Sequence, residues 1–254
     1  GGEMPEYSRW ALASSLGVLL LLLAGFAIKL YRSDRRVLTL SVGAAALVIF
    51  EGLLGALVVE HDLHPVLVAV HLGIAMLVGA MLLTLWFLCD KPAARPIAPP
   101  ARRWVALAAL ILTWSTIFFG GWVAGTEKHG SLTAPVGGGA HYACGTDFPG
   151  CQGRVLPVGH GYAVNLQLAH RSLMYLTALL VLALAFMSRR VALMASLLAA
   201  CALLVQILLG ALNVWLLQEQ ILVLAHLTGG TLLWLAVTWL SLRSLIGEET
   251  ASPA

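Results

Sequence analysis

FGGWVAGTEKHGSLTAPVGGGAHYACGTDFPGCQGRVLPVGHGYAVNLQLAHRSL, residues 119–173, is the one long polar interval in an otherwise apolar chain. It contains the only close cysteine pair, Cys144 and Cys151, and ends on His170 and Arg171 where a new apolar run begins. A polar loop with a cysteine hairpin thus delivers a histidine into an apolar helix. The rest of the chain reads as a helical frame that brings other histidines to the same depth.

Outward from this stretch, composition sets the class. Of 254 residues, 60% are hydrophobic and 11% charged, a balance that points to a polytopic membrane protein. A helix needs ~20 apolar residues to cross a bilayer. Seven such runs are present, at about 10–31, 37–59, 66–89, 104–125, 166–186, 191–215 and 221–245. The expected fold is all-α with seven transmembrane helices, and the partner that surrounds it is the lipid bilayer. The net charge of +3 resides in short loops beside the spans and gives no sign of a nucleic-acid surface; no nucleic-acid partner is expected. Arg32, Arg35 and Arg36, then Lys91, Arg95, Arg102 and Arg103, then Arg189 and Arg190 occupy alternate loops. The positive-inside rule puts those loops in the cytoplasm. The expected setting is a plasma (inner) membrane, with the N-terminus and the 60–65, 126–165 and 216–220 loops outside and the C-terminus inside.

The chain repeats itself. Residues 51–72, EGLLGALVVEHDLHPVLVAVHL, align without a gap on 206–227, QILLGALNVWLLQEQILVLAHL, with 10 of 22 positions identical. Gly55 matches Gly210 and His71 matches His226. Self-similarity of this kind marks a duplicated unit. The expectation is two pseudo-symmetric helical bundles related by an axis along the membrane normal. They are a three-helix N-terminal unit, 1–89, and a four-helix C-terminal unit, 104–246, with a Pro-rich basic linker at 90–103 and a tail at 247–254. Both the repeat and the orientation lead one to expect a further helix before Gly1. Gly73, Ala75, Gly79, Gly120, Gly121 and Gly125 offer small faces for close helix packing.

Depth selects the histidines. By run boundaries His170 lies about one turn into its helix, and His226 and His71 one to two turns into theirs. An ionisable residue at that depth is costly unless it faces the bundle interior. Neutral imidazole is a strong axial ligand for haem iron, and two histidines at one depth can clamp a haem inside a four-helix unit. The alternative for His170 and His226 is a hydrogen bond to a neighbouring carbonyl. His71 has no obvious mate, because aligning Glu6 with Gln167 puts Arg9 opposite His170. Arginine is a poor iron ligand but a good carboxylate partner, so Arg9 suits a haem propionate or else snorkels to headgroups. Glu6 is a carboxylate at the outer mouth, or a charge marking the membrane edge. Cys144 and Cys151 lie in an outer loop, where disulfides persist; a structural bridge is favoured over a redox-active pair. Cys89 and Cys201 are expected to pack as small apolar residues. His61, His64, His129, His141 and His160 show no zinc spacing and are expected to be solvated.

At these residues the chain resembles the haem A synthase family. TDFPGCQG after Cys144, LQLAHR at 166–171, then LLGAL with a histidine sixteen residues after its glycine are similar to the family's second half, and Glu6-Tyr7 is similar to the E-Y that opens its N-terminal helix motif. The resemblance implies two facing four-helix units. It implies haem b as cofactor, held in the C-terminal unit by His170 and His226, which are then the metal ligands. It also implies a substrate haem site in the N-terminal unit at His71, with Arg9 where the family carries a histidine and Glu6 as a catalytic carboxylate. The implied activity is oxidation of a methyl group of haem O to a formyl group for haem-copper oxidase biogenesis. Haem O is the substrate, and haem O synthase or cytochrome oxidase assembly proteins are the implied partners. The competing reading is a non-catalytic membrane cytochrome b, or a haem-binding accessory subunit of a respiratory complex.

Overall fold

A computed structural model describes residues 6–61, 63–90, 95–96, 98–126, 139–155, 159–217 and 220–247; for residues 6–10, 12–13, 95–96 and 246–247 it describes the backbone alone. Seven helices run through it: α1 Glu6–Leu30, α2 Arg35–Glu60, α3 Pro65–Asp90, α4 Pro100–Gly125, α5 Tyr162–Ser188, α6 Leu193–Trp215 and α7 Gln220–Leu245. A helix of this length rises roughly 35–40 Å, enough to cross a bilayer. α2 to α7 are each long and apolar enough to do so, and α1 contributes an apolar Ser14–Leu30 stretch among the described residues. Leu19, Phe26, Leu179 and Phe186 point outward and are largely exposed, as lipid-facing side chains should be. The chain is a multi-pass helical membrane protein, as its composition demands.

Helix starts follow local chemistry rather than hydropathy. Asp34 caps α2, its Oδ1 accepting from the backbone N–H of Arg36 at 3.0 Å and of Val37 at 3.4 Å. The Arg36 side chain closes on the same carboxylate and holds it below the usual carboxylate range. α4 starts on Pro100 and α5 on Tyr162, each four residues before the apolar run suggested. Polar Asn165 and Gln167 ride inside the first turns of α5, so a count of apolar residues places its start too late. Gly161 precedes the helix at φ 102°, a conformation that suits glycine. His170 therefore lies about two turns into its helix rather than one.

The 90–103 linker also carries structure. Arg95–Pro96 (β1) pairs antiparallel with Ile246–Gly247 (β2), and the Arg102 guanidinium donates to the Ser244 carbonyl at 3.2 Å. The segment after α3 and the end of α7 are thereby held together.

α3 is the central helix, packed on α2 at one side and on α4 and α7 at the other. Two indoles reach across into its backbone: Trp114 Nε1 donates to Gly73 O at 2.8 Å, and Trp234 Nε1 to Met76 O at 2.6 Å. Gly73 lies under the Trp114 and Phe118 rings, Gly121 against Ala69 and Leu72, and Gly125 against Pro65. These three glycines serve close helix contact as expected.

The larger apolar cores lie toward one end of the molecule, with smaller clusters under the cysteine loop at the other. Ala106, Val181, Leu184, Ala199, Leu203, Val237 and Leu240 close α4–α7 at the end where the basic loops lie. Leu20, Ala24, Ala45 and Val78, with Ala27, Val37 and Leu85 beyond them, do the same for α1–α3. The opposite end of each helix set is where His71, His170 and His226 stand. Cys89 and Cys201 are exposed on outward helix faces instead of packing inside, because α3 and α6 turn those positions away from their neighbours.

Candidate functional site

His170 hangs from α5 toward α4. Its Nδ1 lies 3.0 Å from the Thr116 carbonyl, so that nitrogen carries the proton and donates, leaving Nε2 with a free lone pair. The ring fits because α4 has glycine there: a Cβ on Gly120 would stand 2.9 Å from His170 Cε1. Gly120 thus makes room for an imidazole, which sets it apart from its packing neighbours. Thr116 is itself fixed, its hydroxyl 2.8 Å from that of Thr177 on α5. The carbonyl hydrogen bond weighed as an alternative to ligation is therefore present, and it leaves the second ring nitrogen open.

His226 stands six residues after the start of α7, as His71 stands six after the start of α3. A Cβ on Gly210 would lie 3.0 Å from His226 Cε1, and one on Gly55 3.4 Å from His71 Cε1. The glycine–histidine pairs of the repeat are therefore contacts in space. Gln206 on α6 reaches His226 from behind, its Nε2 donating to the His226 carbonyl at 3.0 Å and lying 3.4 Å from the ring Nε2. His226 Nδ1 and Gln206 Oε1 are buried without a hydrogen-bond partner among the described residues. On α2 the residue equivalent to Gln206 is Glu51, whose Oε2 lies 2.5 Å from His71 Nδ1.

His141 departs from the sequence expectation. It is not a solvated loop histidine: the 3₁₀ turn Ala140–Tyr142 tucks it inward, because the Ala140 N–H donates to Thr126 Oγ1 at the end of α4 at 2.7 Å. Burial, and then the nearby His226, push its pKa down to about 4. His61, His64 and His160 are exposed as expected; His129 and the side chains of Glu6 and Arg9 lie outside the described residues.

The cysteine loop is clamped to α5. Cys144 and Cys151 are joined, with sulfurs 2.00 Å apart, and pack on Val164 and Leu168. Arg171, 4% exposed, donates through Nη1 to the carbonyls of Asp147, at 2.8 Å, and Gly150. Its guanidinium lies 5.6 Å from the centre of the Phe148 ring. One turn on, the Tyr175 hydroxyl donates to Pro149 O at 3.0 Å. Since Arg171 follows His170 directly, the same turn of α5 both presents the imidazole and holds the loop.

Sequence reasoning missed Glu51, Gln206, Thr116 and the inward turn of His141. The first two were visible as the opening pair of the 22-residue repeat, polar residues in helices that have almost none. Thr116 acts through its carbonyl and left no signal in residue type.

Among the described residues no group of three or more His, Cys, Asp or Glu could hold a bare metal ion. Two histidines, each with one ring nitrogen that no hydrogen bond occupies among the described residues and each seated on a glycine, suit a metal that brings its own equatorial ligands, which is the chemistry of a haem. The donor set of His170 and His226 fits that group. Fold and site together define a multi-pass helical membrane protein that presents imidazoles at one end of its helices. The chain belongs to the cytochrome oxidase assembly protein family (COX15-CtaA), whose profile matches residues 3–238. It is similar to the heme A synthase of Shouchella clausii, with 29% identity over 184 residues, 70% of this chain and 57% of that one. It is also similar to that of Halalkalibacterium halodurans, 30% over 165 residues, 61% and 49%, and that of Alkalihalophilus pseudofirmus, 28% over 160 residues, 61% and 50%. The chain spans about half the length of the curated relatives it matches.

Proposed function

We propose that this protein is a haem A synthase, oxidising the methyl group of haem O to a formyl group for a haem-copper oxidase. Family membership supports the activity. The observation that carries the reading is the His170–His226 pair, two imidazoles on different helices, each with a ring nitrogen that no hydrogen bond occupies among the described residues and a glycine beneath it. These two would hold haem b, and that group supplies one-electron redox chemistry when bound. Thr116 fixes the tautomer of His170, and Gln206 anchors the α7 backbone at His226. The disulfide loop is pinned by Arg171, the residue next to His170. In the N-terminal unit His71 would hold the substrate haem, Arg9 would face its propionates, and Glu6 would assist at the substrate methyl. Haem O synthase and oxidase assembly proteins are the fitting partners. A plasma (inner) membrane, with the cysteine loop outside and the C-terminus in the cytoplasm, is the fitting location.

The test is the haem extracted from cells making the protein beside haem O synthase. Haem A and hydroxylated haem O intermediates are expected, and both should vanish in His170→Ala and His226→Ala, which should also lose the low-spin b-type pyridine haemochrome. Only haem B and haem O in the wild-type extract would leave a non-catalytic cytochrome b.

A further inference from the structure

We infer that Glu51 is the positioning residue of His71, and that it gives the N-terminal histidine a carboxylate partner where the C-terminal one has an amide. The inference rests on the proposal that His71 faces a haem.

Three observations meet at Glu51. It is 9% exposed in the midst of Val48, Ile49, Phe50, Leu53 and Leu54, inside a helix that crosses the membrane. A carboxylate there is costly and persists where it has a partner and a task. Its Oε2 lies 2.5 Å from His71 Nδ1, an ion-pair contact, and both that Nδ1 and Glu51 Oε1 are buried without a hydrogen-bond partner among the described residues. Finally, the repeat puts Gln206 at the same position of α6, close against His226. The two halves keep the histidine and its glycine, and differ in the group behind the ring.

That difference has chemical content. A carboxylate at Nδ1 fixes the tautomer, so that Nε2 is the nitrogen offered to iron. It also draws the Nδ1 proton toward itself, which makes the imidazole a stronger donor. A stronger donor favours ferric over ferrous iron. The neutral Gln206 amide gives His226 no such push. Haem iron on His71 should therefore be held more oxidised than iron on His226. One glutamate would set apart two histidines, His71 and His226, that the 22-residue repeat otherwise places alike.

The experiment uses the full chain in detergent, with hemin (iron protoporphyrin IX) as the added probe. Wild type, Glu51→Gln, Glu51→Asp and His71→Ala are titrated with hemin, and the added haem is followed by difference spectrum, redox titration and the ferrous iron–histidine stretching band. Wild type should take up a second haem that His71→Ala does not. Glu51→Gln, close to isosteric and the residue type found at the equivalent position 206, should loosen it roughly 10- to 100-fold, raise its midpoint potential and lower the stretching frequency. Glu51→Asp keeps the carboxylate and should recover the wild-type potential and frequency in part. A residue needed only for packing would move affinity alone, and Glu51→Asp would then fare no better than Glu51→Gln. If wild type takes up no second haem, the haem reading of the N-terminal unit falls and this inference with it. If a His71-dependent haem forms and Glu51→Gln leaves its potential and stretching band unchanged, the haem reading stands and the positioning role of Glu51 is overturned.

Discussion

His170 rests on Gly120: a methyl group added at that glycine would stand 2.9 Å from the imidazole Cε1, closer than packed atoms tolerate. The same relation recurs between Gly210 and His226 at 3.0 Å and, more loosely, between Gly55 and His71 at 3.4 Å. Over-packing of this kind costs roughly 1–3 kcal/mol, here spent on turning the ring. Gly120→Ala and Gly210→Ala should both lower the haem-to-protein ratio of the purified protein, while Gly55→Ala, at ordinary contact distance, should leave that ratio unchanged. Equal haem loss in all three variants would mean that the glycines serve helix packing alone.

Arg171 and the cysteine bridge should be mechanically linked. A guanidinium bound to two loop carbonyls contributes about 1.5–3 kcal/mol per charged hydrogen bond at most, and the short closed loop adds roughly 2–3 kcal/mol by the chain-entropy model. Intact-mass analysis of protein isolated without reductant should show Cys144 and Cys151 unmodified by alkylating agent, becoming reactive once reduced. Arg171→Ala should lower the thermal unfolding midpoint and expose the 144–154 segment to protease while the bridge remains. Two alkylated thiols at Cys144 and Cys151 in the unreduced protein would contradict the structural role assigned to them.

How much of this was legible follows from what leaves a mark in residue type. Helix number, the gap-free repeat and the depth of His71 and His226 were readable because apolar runs and a glycine–histidine spacing survive in one dimension. The start of α5 was misjudged because hydropathy does not register Asn165 and Gln167 inside a helix. His141 was misjudged because its burial comes from a backbone hydrogen bond to Thr126 across a long loop. Glu51 was overlooked although the repeat displayed it opposite Gln206, since only the fold brings it beside His71.

His141 should make stability depend on pH. Burial first, and His226 second, lower its pKa from 6.5 to about 4. Between those values the unfolded chain binds a proton that the folded chain refuses, so stability falls as pH drops. The contribution is complete above about 6.5 and is lost progressively toward 4. His141→Gln cannot titrate, while His170 and His226 remain common to both proteins. Thermal unfolding in detergent should therefore show wild type losing ground to His141→Gln as pH is lowered from about 7 to about 5, on the order of 1–2 kcal/mol. A gap that stays constant over that range would return His141 to the solvated histidines.

The last prediction concerns the two halves together. His71 and His226 hold the same place in their helices, yet the position opposite His170 in the repeat carries Arg9, which is always protonated and cannot bind iron. A haem in the N-terminal unit thus has one histidine from the repeat positions, whereas the C-terminal unit offers two. One axial imidazole holds iron less firmly than a pair and suits a group that must leave as product. The purified protein should carry about one tightly bound haem per chain, with any second haem substoichiometric and the first to be lost on washing. His71→Ala should keep the tight haem and abolish conversion of haem O to haem A; His226→Ala should lose the tight haem itself. Loss of the tight haem in His71→Ala but not in His226→Ala would mean that the two units exchange roles. If neither haem content nor conversion responds to His71→Ala, the N-terminal unit is not a substrate site, and the accessory-cytochrome reading replaces the enzyme.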